Sequence, residues 1–336
     1  MNEQENVMNT STDKAYTATI LSDPSELGKT EENKKIITRT AIVFLIAGIL
    51  YQGAQLLVAY LFGKFAPEIP EKYGSTFTML AVLATDLLIM LPAFYFPCRS
   101  IPIMKGKPSK MSAGMFLSAI CIMYAFGLLG SIIGSRISFF LTDNNTNLLT
   151  EGIGGGSTLL RFLVVGIVAP VCEELVFRKI LIDRLSRYGN AFAVLTSGLM
   201  FGLFHANLQQ FFYAMMLGVI FGIIYVNTRD IKYSIILHAI FNSYTSIVVL
   251  WAMEGYGTDL LKTQIYNFSI IIEILLGVIG AVLYIYFKSK KKIRIVENAV
   301  EPGEVSYMFG NIGLWIFYIV MIALTAFITI RMSIAA

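Results

Sequence analysis

Long apolar runs decide what this chain can become. Nine segments, at 41–63, 76–97, 112–134, 159–177, 191–206, 209–227, 233–253, 266–287 and 312–330, are strongly hydrophobic and nearly free of charge. A run near 20 residues is what a helix needs to cross the hydrocarbon of a bilayer. A backbone in lipid must satisfy its own hydrogen bonds, and an α-helix does so within one segment. The expected fold is therefore an all-α polytopic membrane protein with about eight to nine transmembrane helices. A composition of 56% hydrophobic and 14% charged residues argues the same way, against a soluble domain with one large core. Only Asn207 to Gln210 separate the fifth and sixth runs. That pair is expected either to cross twice or to dip into the bilayer and return.

The basic residues supply an orientation. With the N-terminus inside, only Lys64, Lys72, Arg136, Arg161, Lys262 and Arg331 of the 26 Lys and Arg fall outside. The positive-inside rule then predicts a multi-pass cell-membrane protein with a cytoplasmic N-terminus. The net charge of +4 sits at span ends, so no nucleic-acid partner is expected. The lipid bilayer is. Residues 1–35 are polar, lack a basic stretch followed by an apolar core, and read as a disordered cytoplasmic tail. Beyond them the chain divides into N-terminal spans at 36–111, a central core at 112–260 and C-terminal spans at 261–336. The basic run 288–294 reads as a stop-transfer flank or a headgroup contact. Residues 135–158 read as an outer loop, in which the glycines 154–156 lack the strand and lysine that a phosphate loop requires. Three cysteines, Cys98, Cys121 and Cys172, all in or beside apolar runs, do not make a disulfide framework. Cys172 reads as a small buried hydrophobe rather than a nucleophile.

Against this apolar background, three polar clusters stand out between residues 170 and 242. The chain has only two histidines, and both lie in apolar segments: Phe201-Gly-Leu-Phe-His205-Ala-Asn207 and His238-Ala-Ile-Phe-Asn242. A third segment carries Glu173 and Glu174, followed by Arg178. An ionisable group at membrane depth costs about 2.5 kcal/mol or more on insertion scales, so each is a functional candidate by default. Adjacent helix residues point about 100° apart, so the two glutamates do not share a face. Arg178 lies four residues after Glu174, the spacing of a helical ion pair. Glu173 is left without a partner on its own helix. Pro170 is expected to open the helix beside it. Gly189-Asn190 signals a turn with Glu173 sixteen residues before Gly189 and His205 sixteen after it. A hairpin turning there would bring both side chains to one height. His238 and Asn242 are four apart and share a face. At 1.5 Å per residue, Glu173 lies roughly 7 Å from Arg178 and His238 roughly 12 Å from Asp230. All three clusters are thus expected between helices in the cytoplasmic half of the bilayer.

Three chemistries fit this set. In hydrolysis, the carboxylate and one histidine activate water while the other histidine and the asparagine donate to an oxyanion. In a metal site, Glu173, His205 and His238 would be ligands around an open position. In proton-coupled transport, Glu and His would relay protons.

The motifs Glu-Glu-x-x-x-Arg, Phe-x-x-x-His and His-x-x-x-Asn, matched by Glu173-Glu174 with Arg178, Phe201 with His205, and His238 with Asn242, resemble the family of type II CAAX prenyl endopeptidases and bacteriocin-processing or immunity proteins, the CPBP or Abi family. The resemblance covers roughly residues 112–260. It implies an intramembrane endopeptidase acting on a membrane-associated peptide or protein. Glu173 and His205 would activate water, and His238 with Asn242 would stabilise the oxyanion. Glu174, Arg178, Phe201 and Asn207 would support them. Members have been described both as zinc metalloproteases and as metal-free glutamate proteases, and the metal-free form is the one expected here, with no cofactor. A non-proteolytic scaffold or immunity protein is the alternative within the family. Lys179 departs from the glycine that many relatives carry after the motif arginine. A prenylated substrate is not implied.

Overall fold

The computed structural model describes residues 24–104, 106–142, 153–154, 156–289 and 310–335, and among these it is helical with no strand. Residues 1–23, the polar stretch 143–152 and the basic run 290–294 lie outside the described residues. Helix α1 spans Pro24–Phe65 and so begins inside the segment read as a tail. Proline suits a first helical position, where its missing N–H leaves nothing unsatisfied. Helix α2 is Glu68–Cys98, with a kink at Gly74 and a π-turn at Asp86–Met90. Helix α3, Ala113–Thr142, continues eight residues past the expected span and absorbs the start of the expected loop. The run after Arg136 stays apolar, and one exposed arginine does not end a helix.

Helix α4 is an unbroken run over 158–188 in which α-turns alternate with π-turns at Phe162–Val168 and Leu175–Ile182. Ser157 caps its start, accepting from the Leu160 amide at 3.4 Å. Pro170 follows the first π-turn directly, so the helix takes up the proline ring in a widened turn. Gly189 then reverses the chain at φ 127°, ψ 137°, a conformation that suits glycine alone. Four helices follow in close succession: α5, Asn190–Phe204; α6, Leu208–Thr228; α7, Ile231–Met253; and α8, Leu260–Ser289. Helix α9 is Ile312–Ala335. Asn207 caps α6 and Asp230 caps α7, accepting from the amides of Gln209 and Lys232.

Each of the nine apolar runs falls on a helix, and seven of these helices are long and apolar enough to cross a membrane. The exceptions are α4, which carries the charged cluster, and α5. At 15 residues, α5 reaches about 22 Å, short of the ~30 Å hydrocarbon core. The chain is a multi-pass membrane protein, and its polar centre draws on the two helices least suited to cross alone together with α7.

Glycine sets how closely the central helices pack. Helices α3 and α6 approach at Gly130 and Gly134, where an added Cβ would lie 2.4 Å from the Tyr213 Cα and 2.6 Å from the Gln209 carbonyl. Helices α5 and α6 do the same through Gly198-xxx-Gly202 and Gly218-xxx-Gly222, with Gly218 meeting the Gly198 Cα at 3.0 Å. Two of the three apolar clusters among the described residues centre on these helices. One joins α1, α2, α4, α5 and α9 around Phe44, Phe94, Phe177, Phe201 and Phe204. The other joins α3, α6 and α7 around Met123, Phe221, Leu237 and Phe241. Gly130→Leu should lower stability by about 1–3 kcal/mol, because the opposing atoms are backbone and cannot yield. Thermal unfolding in detergent should show this loss, while Gly53→Ala, with open space around it, should unfold as wild type does.

Candidate active site

Glu174 and Arg178 form the floor of the site. Arg178 Nε donates to Glu174 Oε2 at 3.0 Å and Nη2 to Oε1 at 3.2 Å, with both side chains fully buried. The remaining guanidinium nitrogen, Nη1, donates to the Ser197 hydroxyl at 2.9 Å, and that hydroxyl donates to the Phe177 carbonyl at 2.9 Å. The rings of Phe201 and Phe221 lie 5.1 and 5.9 Å from the guanidinium carbon, close enough for cation–π attraction. A bidentate, fully engaged arginine is the form in which this charge tolerates burial.

His238 reaches this pair from α7. Its Nδ1 lies 3.1 Å from Glu174 Oε1, the hydrogen bond that fixes the ring, and its Nε2 lies 3.5 Å from Glu173 Oε2. The latter is an ion-pair separation too long for a hydrogen bond, so Glu173 Oε2 is buried without a hydrogen-bond partner. Glu173, lacking a partner on its own helix, thus meets one from another. The His238 ring packs between Phe221, at 5.1 Å, and Phe201, at 5.7 Å.

His205 lies at the end of α5, where its Nδ1 is 2.8 Å from the Phe201 carbonyl. Since a carbonyl only accepts, Nδ1 carries the proton and Nε2 is left as an acceptor. Its ring stands edge-on to Phe201 at 4.9 Å. Phe201 therefore touches His205, His238 and Arg178, and it is the side chain through which the three motifs meet. The structure joins Glu173 to His238 directly, whereas His205 connects through Phe201. Asn242 donates to the Val165 carbonyl at 3.2 Å, inside the π-turn that precedes Glu173. Asn207 belongs to the helix cap, its amide donating to Gln210 Oε1 at 3.2 Å.

Among the described residues no group of three or more His, Cys, Asp and Glu is placed to hold a metal ion.

Residues 155–244 match the family model for type II CAAX prenyl endopeptidase Rce1-like proteins. That segment is Rce1-like. The match contains all three motifs and ends two residues after Asn242. No curated protein and no solved structure matches the chain. The similarity to type II CAAX prenyl endopeptidase Rce1-like proteins is confined to this segment.

The sequence reading passed over residues outside this segment. Asp86 on α2 is buried and accepts from the Tyr51 hydroxyl at 2.6 Å. It was detectable by the argument applied to Glu173, a carboxylate alone in an apolar run. Glu273 on α8, also buried, carries the same signal.

Removing Arg178 while keeping Glu174 should leave a buried carboxylate uncompensated. Arg178→Met is expected to cost about 3–5 kcal/mol. Adding Glu174→Gln to it should recover much of that loss in urea unfolding of the detergent-purified protein.

Proposed function

We propose that this protein hydrolyses a peptide bond of a membrane-associated peptide or protein with water activated by Glu173 and His205. The observation that carries the reading is the buried relay from Arg178 through Glu174 and His238 to the unpartnered Glu173 oxygen. Glu173 takes a proton from water as the water oxygen bonds to the carbonyl carbon. The lone pair on His205 Nε2 accepts the second water hydrogen and holds the nucleophile in place. The carbonyl π-electrons move to oxygen, and the resulting oxyanion accepts hydrogen bonds from the Asn242 N–H not used on Val165 and from His238 Nε2–H, the ring acting with a proton on both nitrogens because Nδ1–H is given to Glu174. When the carbon–nitrogen bond breaks, the proton held by Glu173 passes to the leaving amine. Glu174 does not touch the substrate. It orients His238, as Arg178 orients Glu174.

The pattern of basic residues supports a cytoplasmic N-terminus in the cell membrane, with the site opening toward the inner half of the bilayer. A prenyl group is not part of the proposal.

Cleavage of a membrane-peptide library by purified protein tests the mechanism. Glu173→Gln is expected to lower kcat by about 10²–10⁴-fold, the range for losing a general base, with unfolding unchanged. His238→Ala should lose cleavage as well, and a strong chelator should leave the wild-type rate alone. Loss on chelation with recovery on added zinc would replace water activation by Glu173 with metal chemistry. Full activity of Glu173→Gln would remove the hydrolytic role altogether.

A further inference from the structure

The Rce1-like match begins at residue 155, yet two of the shortest side-chain hydrogen bonds beside the site come from α1. Gln52 Nε2 donates to the Phe204 carbonyl at 2.7 Å, and the Tyr51 hydroxyl donates to Asp86 at 2.6 Å. The Tyr51 ring also stacks on Phe204, with centroids 5.0 Å apart and planes 20° from parallel. Phe204 is the residue before His205 and the last of α5, so its carbonyl is among those that a helix end leaves without an internal donor. Beyond it the chain tightens, with the amides of His205 and Ala206 donating to Gly202 and Leu203. Ala206 then takes a left-handed conformation at φ 48°, one that a non-glycine residue holds only when its surroundings impose it. The direction of the His205 ring depends on this turn, because its Nδ1 must stay on the Phe201 carbonyl one turn earlier.

We propose that Gln52, together with Tyr51 held by Asp86, positions His205 from outside the matched segment. Gln52 fixes the carbonyl at the turn, Tyr51 clamps the Phe204 ring, and Asp86 anchors Tyr51 by accepting its hydroxyl proton. With the turn held, the His205 ring keeps its proton on Nδ1 and its lone pair on Nε2. The proposal rests on the hydrolytic reading only for what that lone pair does; the placement of the ring is independent of it.

Two histidines make the test clean. The full chain, labelled with ¹⁵N-histidine in nanodiscs, should show two imidazoles, assigned by His238→Gln. In the wild type, His205 should give the pattern of a single Nδ1–H tautomer. Gln52→Met keeps length and removes the donor. It should shift the His205 signals toward the averaged tautomer pattern, leave those of His238 in place, and keep the thermal midpoint. Its kcat should fall by about 10–100-fold with KM unchanged, as misplacement of a reacting group does. Asp86→Leu should shift His205 in the same way, whereas Asp86→Asn, which still offers Tyr51 an oxygen, should restore the wild-type spectrum. An unaltered His205 spectrum in Gln52→Met overturns the proposal, whatever happens to stability. If the wild type cuts no peptide but Gln52→Met still releases the ring, the hydrolytic reading falls and the positioning role stands.

Discussion

The buried pair of Glu174 and Arg178 is the interaction on which the centre of this protein depends. A guanidinium with no exposed surface must have its donors met, and here α4 and α5 meet them between Glu174 and Ser197. The demand is geometric as well as electrostatic. Ser197 can reach Arg178 only because α5 folds back on α4 at Gly189, and Phe201, one turn beyond Ser197, is thereby laid over the guanidinium. The same carboxylate that neutralises Arg178 accepts from His238. Buried ion pairs often contribute little to stability when compared with apolar residues of the same size. Packing alone therefore does not account for a charge here, whereas an anchored acceptor for the His238 ring does.

That anchoring works only if four helices come within side-chain reach of one point. The glycines supply the approach. Where α5 meets α6 and α6 meets α3, backbone lies against backbone, which lets Phe221 of α6 reach His238 as Phe201 of α5 does. The histidine is thus held by two aromatic faces and one carboxylate, and only its Nε2 is turned toward Glu173. The π-turns contribute the remaining adjustment. They flank the short α-turn that carries both glutamates, and the one before it presents the Val165 carbonyl that holds Asn242. Such turns recur at functional sites because each rotates the following residues relative to a regular helix.

Much of this was legible in the residues themselves. Apolar length marked each helix, because lipid leaves a spanning backbone little choice. The four-residue spacing of Glu174 and Arg178 announced the ion pair, and Gly-Asn announced the turn between α4 and α5. Contacts between helices were not legible in the same way. Spacing along one helix cannot say that His238 sits on Glu174, since that depends on how α7 crosses α4. The π-turns were hidden for a related reason: they answer to Pro170 and to packing rather than to any local propensity. Helix ends were misjudged where polar residues were taken as stops, at Arg136 and before residue 35, although a helix with one exposed flank accommodates both. Tyr51 and Gln52 escaped notice because neither is charged. Asp86 stands out as a carboxylate in an apolar run, but nothing in its spacing ties it to the histidines.

The position of the Glu-Glu and Phe-x-x-x-His motifs on an interrupted and a short helix follows from the chemistry asked of them. A helix that crosses cleanly satisfies its own backbone, so only its side chains, as with His238 and Asn242 on α7, can serve a water or a peptide. Helix α5 stops after 15 residues, and its last turn exposes carbonyls in an apolar setting where an unmet acceptor is costly. Phe201 and Phe204 carry two of these carbonyls. One is met by His205 itself and the other by Gln52 of a different helix. The early end of α5 thus creates both the place for His205 and the need for α1. The Rce1-like segment contains the motif residues but not the donor that closes its own helix end, so α1 belongs to the site as a physical unit even though it lies outside the matched sequence.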